Sequence, residues 1–174
     1  QPWADGAIRA RIVYRADSRM PSVVARMRGD GRETYKLRIT SPSVATLQYL
    51  NGESRGQTLM MQTLSKPIAP GTTVLLELRI QGDHITCLVD GVVIGQARDA
   101  MLQSPGMWGV YAEDGWFESV EVQPLPAATT PAPIAVPALP ESGWKPLVSQ
   151  TEWQKYSKGT TDYQGQQVTN LREQ

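Results

Sequence analysis

Residues 71–122 constrain the fold more than any other part of this chain. They read GTTVLLELRIQGDHITCLVDGVVIGQARDAMLQSPGMWGVYAEDGWFESVEV. Runs rich in Val, Ile and Leu alternate with Gly-Asp and Asp-Gly pairs. Those pairs supply the positive φ angles that tight hairpins need, so the segment reads as successive antiparallel strands. Val74, Leu76, Leu78 and Ile80 share one parity, and Leu75, Glu77, Arg79 and Gln81 share the other. That alternation makes a strand with one face on a core.

The first half follows the same rule. In residues 6–15, Ile8, Ala10, Ile12 and Tyr14 oppose Arg9, Arg11, Val13 and Arg15. Residues 22–28 and 33–40 form the next two strands, joined at Asp30-Gly31. Tyr35, Leu37 and Ile39 lie on one side, Lys36 and Arg38 on the other. A strand over 44–50 ends at Asn51-Gly52, and another covers 58–64. With strands near 84–90, 92–97, 107–112 and 116–122, the total is about ten, and no segment has the period of an amphipathic helix. The fold class is all-β: a two-sheet antiparallel jelly-roll sandwich. Ile8, Ile12, Leu37, Ile39, Leu76, Leu78, Ile80, Ile85, Val89 and Val110 are its expected core.

The domain is expected to span 1–123. Over 124–140 the character changes to PLPAATTPAPIAVPALP, with six prolines and no charge. Proline cannot donate to a ladder, so this stretch reads as an extended linker. The tail, 141–174, is polar and too short to hold a core of its own. It begins a second copy of the domain or supplies a strand that completes a sheet. The chain opens Gln1-Pro2-Trp3 with no signal-peptide pattern, as a processed or excised piece of a longer protein would.

Lys plus Arg and Asp plus Glu each number 17 among 174 residues. A zero balance argues against bulk nucleic-acid or membrane-surface binding. No apolar run reaches the roughly 18 residues of a spanning helix. Cys87 is the sole cysteine, which excludes an internal disulfide and reads as a buried, inert thiol.

GDHITCLVDGVVIGQARD followed by SPGMWGVYAEDGWFESVEV resembles the closing half of the concanavalin A-like lectin/glucanase superfamily. The subgroup it most resembles is the bacterial laminin-G-like and 3-keto-disaccharide-hydrolase-like domains. Gly82-Asp83, Val89-Asp90-Gly91, Asp99, Gly106, Gly109 and Phe117 carry the resemblance, with Arg26 and Tyr35 in the front half. Glu118 stands where that family has Asp. The family's opening segment is missing before Asp5, and a stretch like it, GWKPLVSQTEW, follows the linker.

The fold this resemblance implies hosts several functions. The expected one is a non-catalytic carbohydrate-binding or adhesion module of a larger modular bacterial protein, extracellular, cell-surface or periplasmic. The alternatives are a hydrolase of the 3-keto-disaccharide type and a purely structural domain of a surface or filament protein. Glucanases of this fold place carboxylates at alternating positions on one strand, where two flank the scissile bond. No such pattern occurs here. Glu113 and Asp114 are adjacent, and Glu118 and Glu121 differ in parity. No catalytic residue is assigned. His84, the only histidine, follows a turn and has no nucleophile in reach.

No cofactor is expected. Calcium, which some laminin-G-like domains bind, is the alternative, through Asp90, Asp99 and loop acids. It needs roughly six to eight oxygens, and the chain has no Asp-x-Asp cluster. Turn chemistry accounts for Asp90 without a metal.

Two sets of residues point to a ligand. Arg9, Arg11, Arg15, Arg26, Arg28, Lys36 and Arg38 lie opposite the apolar faces of three consecutive strands. If those strands share a sheet, the cations form a patch able to hold an acidic polysaccharide. If sequential strands alternate between sheets, the patch is split. Trp108, Tyr111 and Trp116 are the second set, since aromatic faces stack on sugar rings. Trp116 and Phe117 compete for the inward position. A β-bulge between 117 and 120 would turn Phe117 in and leave Trp116 at the rim. The expected ligand-binding residues are Trp116, Tyr111, Trp108, Arg11, Arg26, Arg28 and Arg38. The expected partners are a carbohydrate, or a protein or second copy engaged through the tail.

Overall fold

The computed structural model describes residues 3–15, 21–28, 33–52, 56–111, 116–127, 138–147, 160–163 and 166–169; for Trp116 and the last two segments it describes the backbone alone. The Asp30-Gly31 and Asp114-Gly115 pairs and most of the Pro-rich stretch lie outside the described residues.

Ten strands build two antiparallel sheets. They are β1 (Gly6–Val13), β2 (Ser22–Arg28), β3 (Glu33–Ser41), β4 (Val44–Asn51), β5 (Gln57–Thr63), β6 (Thr73–Gln81), β7 (His84–Val89), β8 (Val92–Arg98), β9 (Met107–Tyr111) and β10 (Trp116–Pro124). An eleventh, β11 (Lys145–Pro146), sits at one edge. The first sheet runs β11-β10-β1-β6-β7-β8, and the second β5-β4-β3-β2-β9. The chain passes from one sheet to the other after β1, β5, β8 and β9, which is the jelly-roll sandwich the alternation implies.

The turns explain the hairpins. Asp90 and Gly91 both have positive φ, 50° and 77°, and join β7 to β8 in two residues. That double left-handed geometry matches strand twist, and Asp and Gly tolerate it best.

The two apolar faces meet in one core. Ile8, Leu37, Leu47, Leu76, Leu78, Ile80 and Ile85 are fully buried, and Ile12, Ile39 and Val89 nearly so. Val110 is only half-buried against the core, because β9 is an edge strand. Cys87 is buried, and desolvation pushes its thiol pKa up to about 12.

A bulge in β10 decides which aromatic faces in. Arg11 pairs with Ser119 and Ile12 with Phe117, so Glu118 is the extra residue. The bulge shifts the parity and places Phe117 against the core.

After the linker, the chain returns to the first sheet. A single 3-10 turn, Glu141–Gly143, leads into β11, which pairs with β10 at Glu121 and Val122. The Leu147 amide donates to the Val120 carbonyl at 2.9 Å. Trp144 is buried, and Leu147 packs on the core. The free edge of β10 is thereby covered by this chain's own residues. Residues 166–169, farther along the tail, behave differently. Where described, they belong to β13 (Gln166–Thr169), which pairs with β12 (Thr160–Tyr163) in a separate ribbon.

Candidate functional site

The seven cations of the first three strands do not form one patch. β1 carries Arg9 and Arg11 in the first sheet, while β2 and β3 belong to the second. Each expected residue therefore has to be placed on its own face.

On the outer face of the first sheet, Arg9 is neutralised. Its Nε donates to Glu121 at 2.7 Å, and its two Nη atoms donate to the Glu141 carboxylate at 2.8 and 2.7 Å. The guanidinium also lies 4.3 Å from the Trp144 ring centroid. The hydrogen bonds to Glu141 lead in holding Arg9 above its ordinary pKa, and they lower that of Glu141. Arg79 is paired with Glu77 on the same face. Arg11 is exposed, and its charge also helps to lower the Glu141 pKa.

Arg26 is not on a surface at all. A bulge in β2 between Ala25 and Arg28 gives it a φ of 51° and turns it inward. Its side chain donates to the Ala4 carbonyl, to the Leu102 carbonyl at 2.7 Å and to Asp5 Oδ1 at 2.9 Å. Burial lowers its pKa, and Asp5 opposes that shift. Nearby, the Tyr35 hydroxyl donates to Asp99 and accepts from the Leu102 amide. Burial is the main cause of its raised pKa. Two residues that carry the family resemblance, Arg26 and Tyr35, thus anchor residues 99–102.

Arg28 lies 3.7 Å from Glu33. Trp108 is buried, and its indole N–H donates to the Trp3 carbonyl at 3.2 Å. Trp116 opens β10 in the first sheet, opposite Val13; its side chain is outside the described residues.

That leaves the outer face of the second sheet. Val23, Leu37, Ala45 and Leu47 point into the core, so their strand neighbours point out. Register aligns Tyr111, Ser22, Arg38, Thr46 and Met61 in one row across β9, β2, β3, β4 and β5. The next row holds Gly109, Val24, Lys36, Gln48 and Thr58. Tyr111 is 44% exposed, and the Lys36 ammonium sits 4.0 Å from its ring centroid. Among the described residues, the buried Arg38 Nε has no hydrogen-bond partner. Sequence alternation found Tyr111, Lys36 and Arg38; only the register shows that they share a face.

Among the described residues, no group of three or more His, Cys, Asp or Glu side chains is placed to hold a metal ion. His84 lies 3.5 Å from Asp83, which also pairs with Arg98 at 3.4 Å. An apolar gap between Ile12, Tyr14, Pro21, Ile39, Val74 and Leu76 measures about 10 Å³, room for one water and not for a sugar ring.

No family model matches this sequence, and no curated protein matches it. Solved structures do. The carbohydrate-binding module CBM66 from Bacillus subtilis superposes with a TM-score of 0.60 at 14% identity, over 68% of this chain and 74% of its own. The fold is a concanavalin A-like jelly roll. The homodimeric agglutinin CG-16 from chicken liver shares the jelly roll with a TM-score of 0.53 at 11% identity, covering 71% of this chain and 92% of its own. Sheep galectin-11, in complex with glycerol, gives 0.50 at 17% identity, over 68% and 90%. At these identities the jelly roll itself is what is shared.

Proposed function

We propose that this domain binds carbohydrate without cleaving it, as one module of a larger exported bacterial protein. The binding surface is the outer face of the second sheet, and Tyr111, Lys36 and Arg38 are its principal contacts. The observation that carries the reading is the row from Tyr111 through the buried Ser22 to Arg38: an exposed aromatic ring and a guanidinium whose Nε has no acceptor among the described residues, on one face of a rigid sheet. An aromatic ring offers stacking to a sugar's apolar face, and the flanking donors fix its hydroxyls. The names of similar structures, a carbohydrate-binding module and galectins, favour the same reading.

Trp116, at the start of β10, belongs to the same proposal as a rim contact. The calcium alternative stays attached to it through Asp90 and Asp99, although the Asp90 carboxylate already accepts the Leu75 amide at 2.8 Å.

A glycan array with and without calcium, followed by titration of the hits, tests the proposal. Tyr111→Ala should weaken binding by roughly 1–3 kcal/mol, the scale of uncovering one large apolar side chain. Absence of any hit, or full affinity in both Tyr111→Ala and Trp116→Ala, would overturn it.

A further inference from the structure

We infer that the saccharide taken by the second sheet's outer face is anionic, carrying carboxylate or sulfate groups, and that Arg38 is its anion anchor. This rests on the carbohydrate-binding reading above and narrows it to a ligand class.

The charge inventory of the sheet is lopsided. Across β2, β3, β4, β5 and β9 the only acid is Glu33, and the cations are Arg26, Arg28, Lys36 and Arg38. Glu33 stands at the start of β3 beside Arg28. Arg26 is committed to Asp5 and to backbone carbonyls inside the fold. Arg38 remains as an outer-face cation whose Nε has no partner among the described residues, and Lys36, against the Tyr111 ring, lies beside it. They are same-face neighbours on β3, about 7 Å apart along the strand.

The first sheet shows what this chain does with a structural arginine. Arg9 has two carboxylates and Arg79 has one. Arg38 has no ion pair and no hydrogen bond among the described residues, and its Nε is already out of water. An unsatisfied buried donor is costly, and an acceptor arriving from outside would relieve it. With Nε covered, the guanidinium offers its two terminal nitrogens as a fork. That fork matches the paired oxygens of a carboxylate or a sulfate.

Nucleic acid is the less suitable polyanion. Phosphate-backbone binding scales with the number of neutralised phosphates, and two cations on a chain of zero net charge are too few.

The experiment is calorimetric titration of the full chain with polygalacturonate, dextran sulfate, neutral dextran and a single-stranded oligonucleotide. Binding of polygalacturonate, dextran sulfate or both, weakening as salt rises, is the expected result. Their relative strength separates a carboxylate from a sulfate source. Arg38→Gln should lose about tenfold or more in affinity, the scale of a charge-assisted hydrogen bond. Arg38→Lys, which keeps the charge and loses the fork, should fall between. Arg98→Gln, on the other sheet, should stay within about twofold. Melting temperatures confirm that each variant is folded. Equal binding by Arg38→Gln and the parent, equal loss in Arg98→Gln, or an oligonucleotide bound as tightly as the glycans would overturn the inference. Binding of neutral dextran that survives Arg38→Gln would remove the anionic class and leave carbohydrate binding standing. Failure of every glycan would remove both.

Discussion

Arg26 and Asp5 meet at 2.9 Å across the two sheets, with side chains only 1% and 11% exposed. Asp5 leads into β1 of the first sheet, and Arg26 belongs to β2 of the second. The same Asp5 oxygen accepts the Gly82 amide, at the turn between β6 and β7, at 2.9 Å. One buried ion pair thus fastens the chain's opening segment, a hairpin turn and residue 102 to a single bulge.

That arrangement predicts a large stability cost for breaking it. Arg26→Met should lower the unfolding free energy by about 3–5 kcal/mol, because Asp5 and two carbonyls lose their donor. Arg28→Ala, which removes a 3.7 Å pair at the surface, should cost under about 1 kcal/mol. Urea denaturation of the two variants checks this; equal midpoints would contradict the assigned role of Arg26.

Gly106 predicts a second cost beside the first. It forms a bridge with Trp3, and a Cβ there would lie 2.5 to 2.7 Å from backbone atoms of Arg26. Backbone cannot step aside, so Gly106→Ala should destabilise by about 1–3 kcal/mol. Gly95→Ala is the contrast. Its Cβ would meet Met60 Sδ, the far end of a flexible side chain, and should cost less. Thermal melts of the pair give the ranking directly.

The strands were legible because period-2 alternation survives on both sheets. The β10 bulge was legible too, from the conflict between Trp116 and Phe117 over one inward position. Arg26 was not. Alternation aligns it with Val24 and Ser22 on the outside, and only the β2 bulge turns it in. Splitting of the cationic patch was posed by the sequence and left open, since sheet membership depends on pairings far apart in the chain. The same holds for the row joining Tyr111 to Arg38, which lie on strands far apart in the chain, β9 and β3. Arg9 and Glu141 are separated by 132 residues. The family-like GWKPL segment hinted that the tail supplies a strand to a sheet, and the structure pairs it with β10.

Hydrolysis of simple β-glucans is not expected. On β10, Glu118 sits in a bulge and accepts a hydrogen bond from Thr73, and Glu121 is paired with Arg9. Cleavage by either stereochemical route requires two carboxyl groups flanking the scissile bond, and these two are engaged with Thr73 and Arg9 instead. Reducing-sugar release from laminarin or lichenan should stay at background; release that co-purifies with the protein to homogeneity would refute this.

Acid should loosen the returning segment. Glu141 grips both terminal nitrogens of Arg9, and this hydrogen bonding lowers its pKa below the ordinary carboxylate value of 4.5. A carboxylate depressed in the folded state contributes stability that is fully present above its unfolded pKa. That contribution is lost as pH falls through the folded value. The clamp is therefore intact at neutral pH and releases below about pH 4.5. Amide exchange at Leu147, whose N–H is held by Val120, reports the docking of β11. Its protection factor should drop in acid while that of Leu78, deep in β6, holds. Glu141→Gln should lower the Leu147 protection at neutral pH and flatten its acid dependence. If the substituted chain keeps the parent's full acid response, the clamp is not what Glu141 provides.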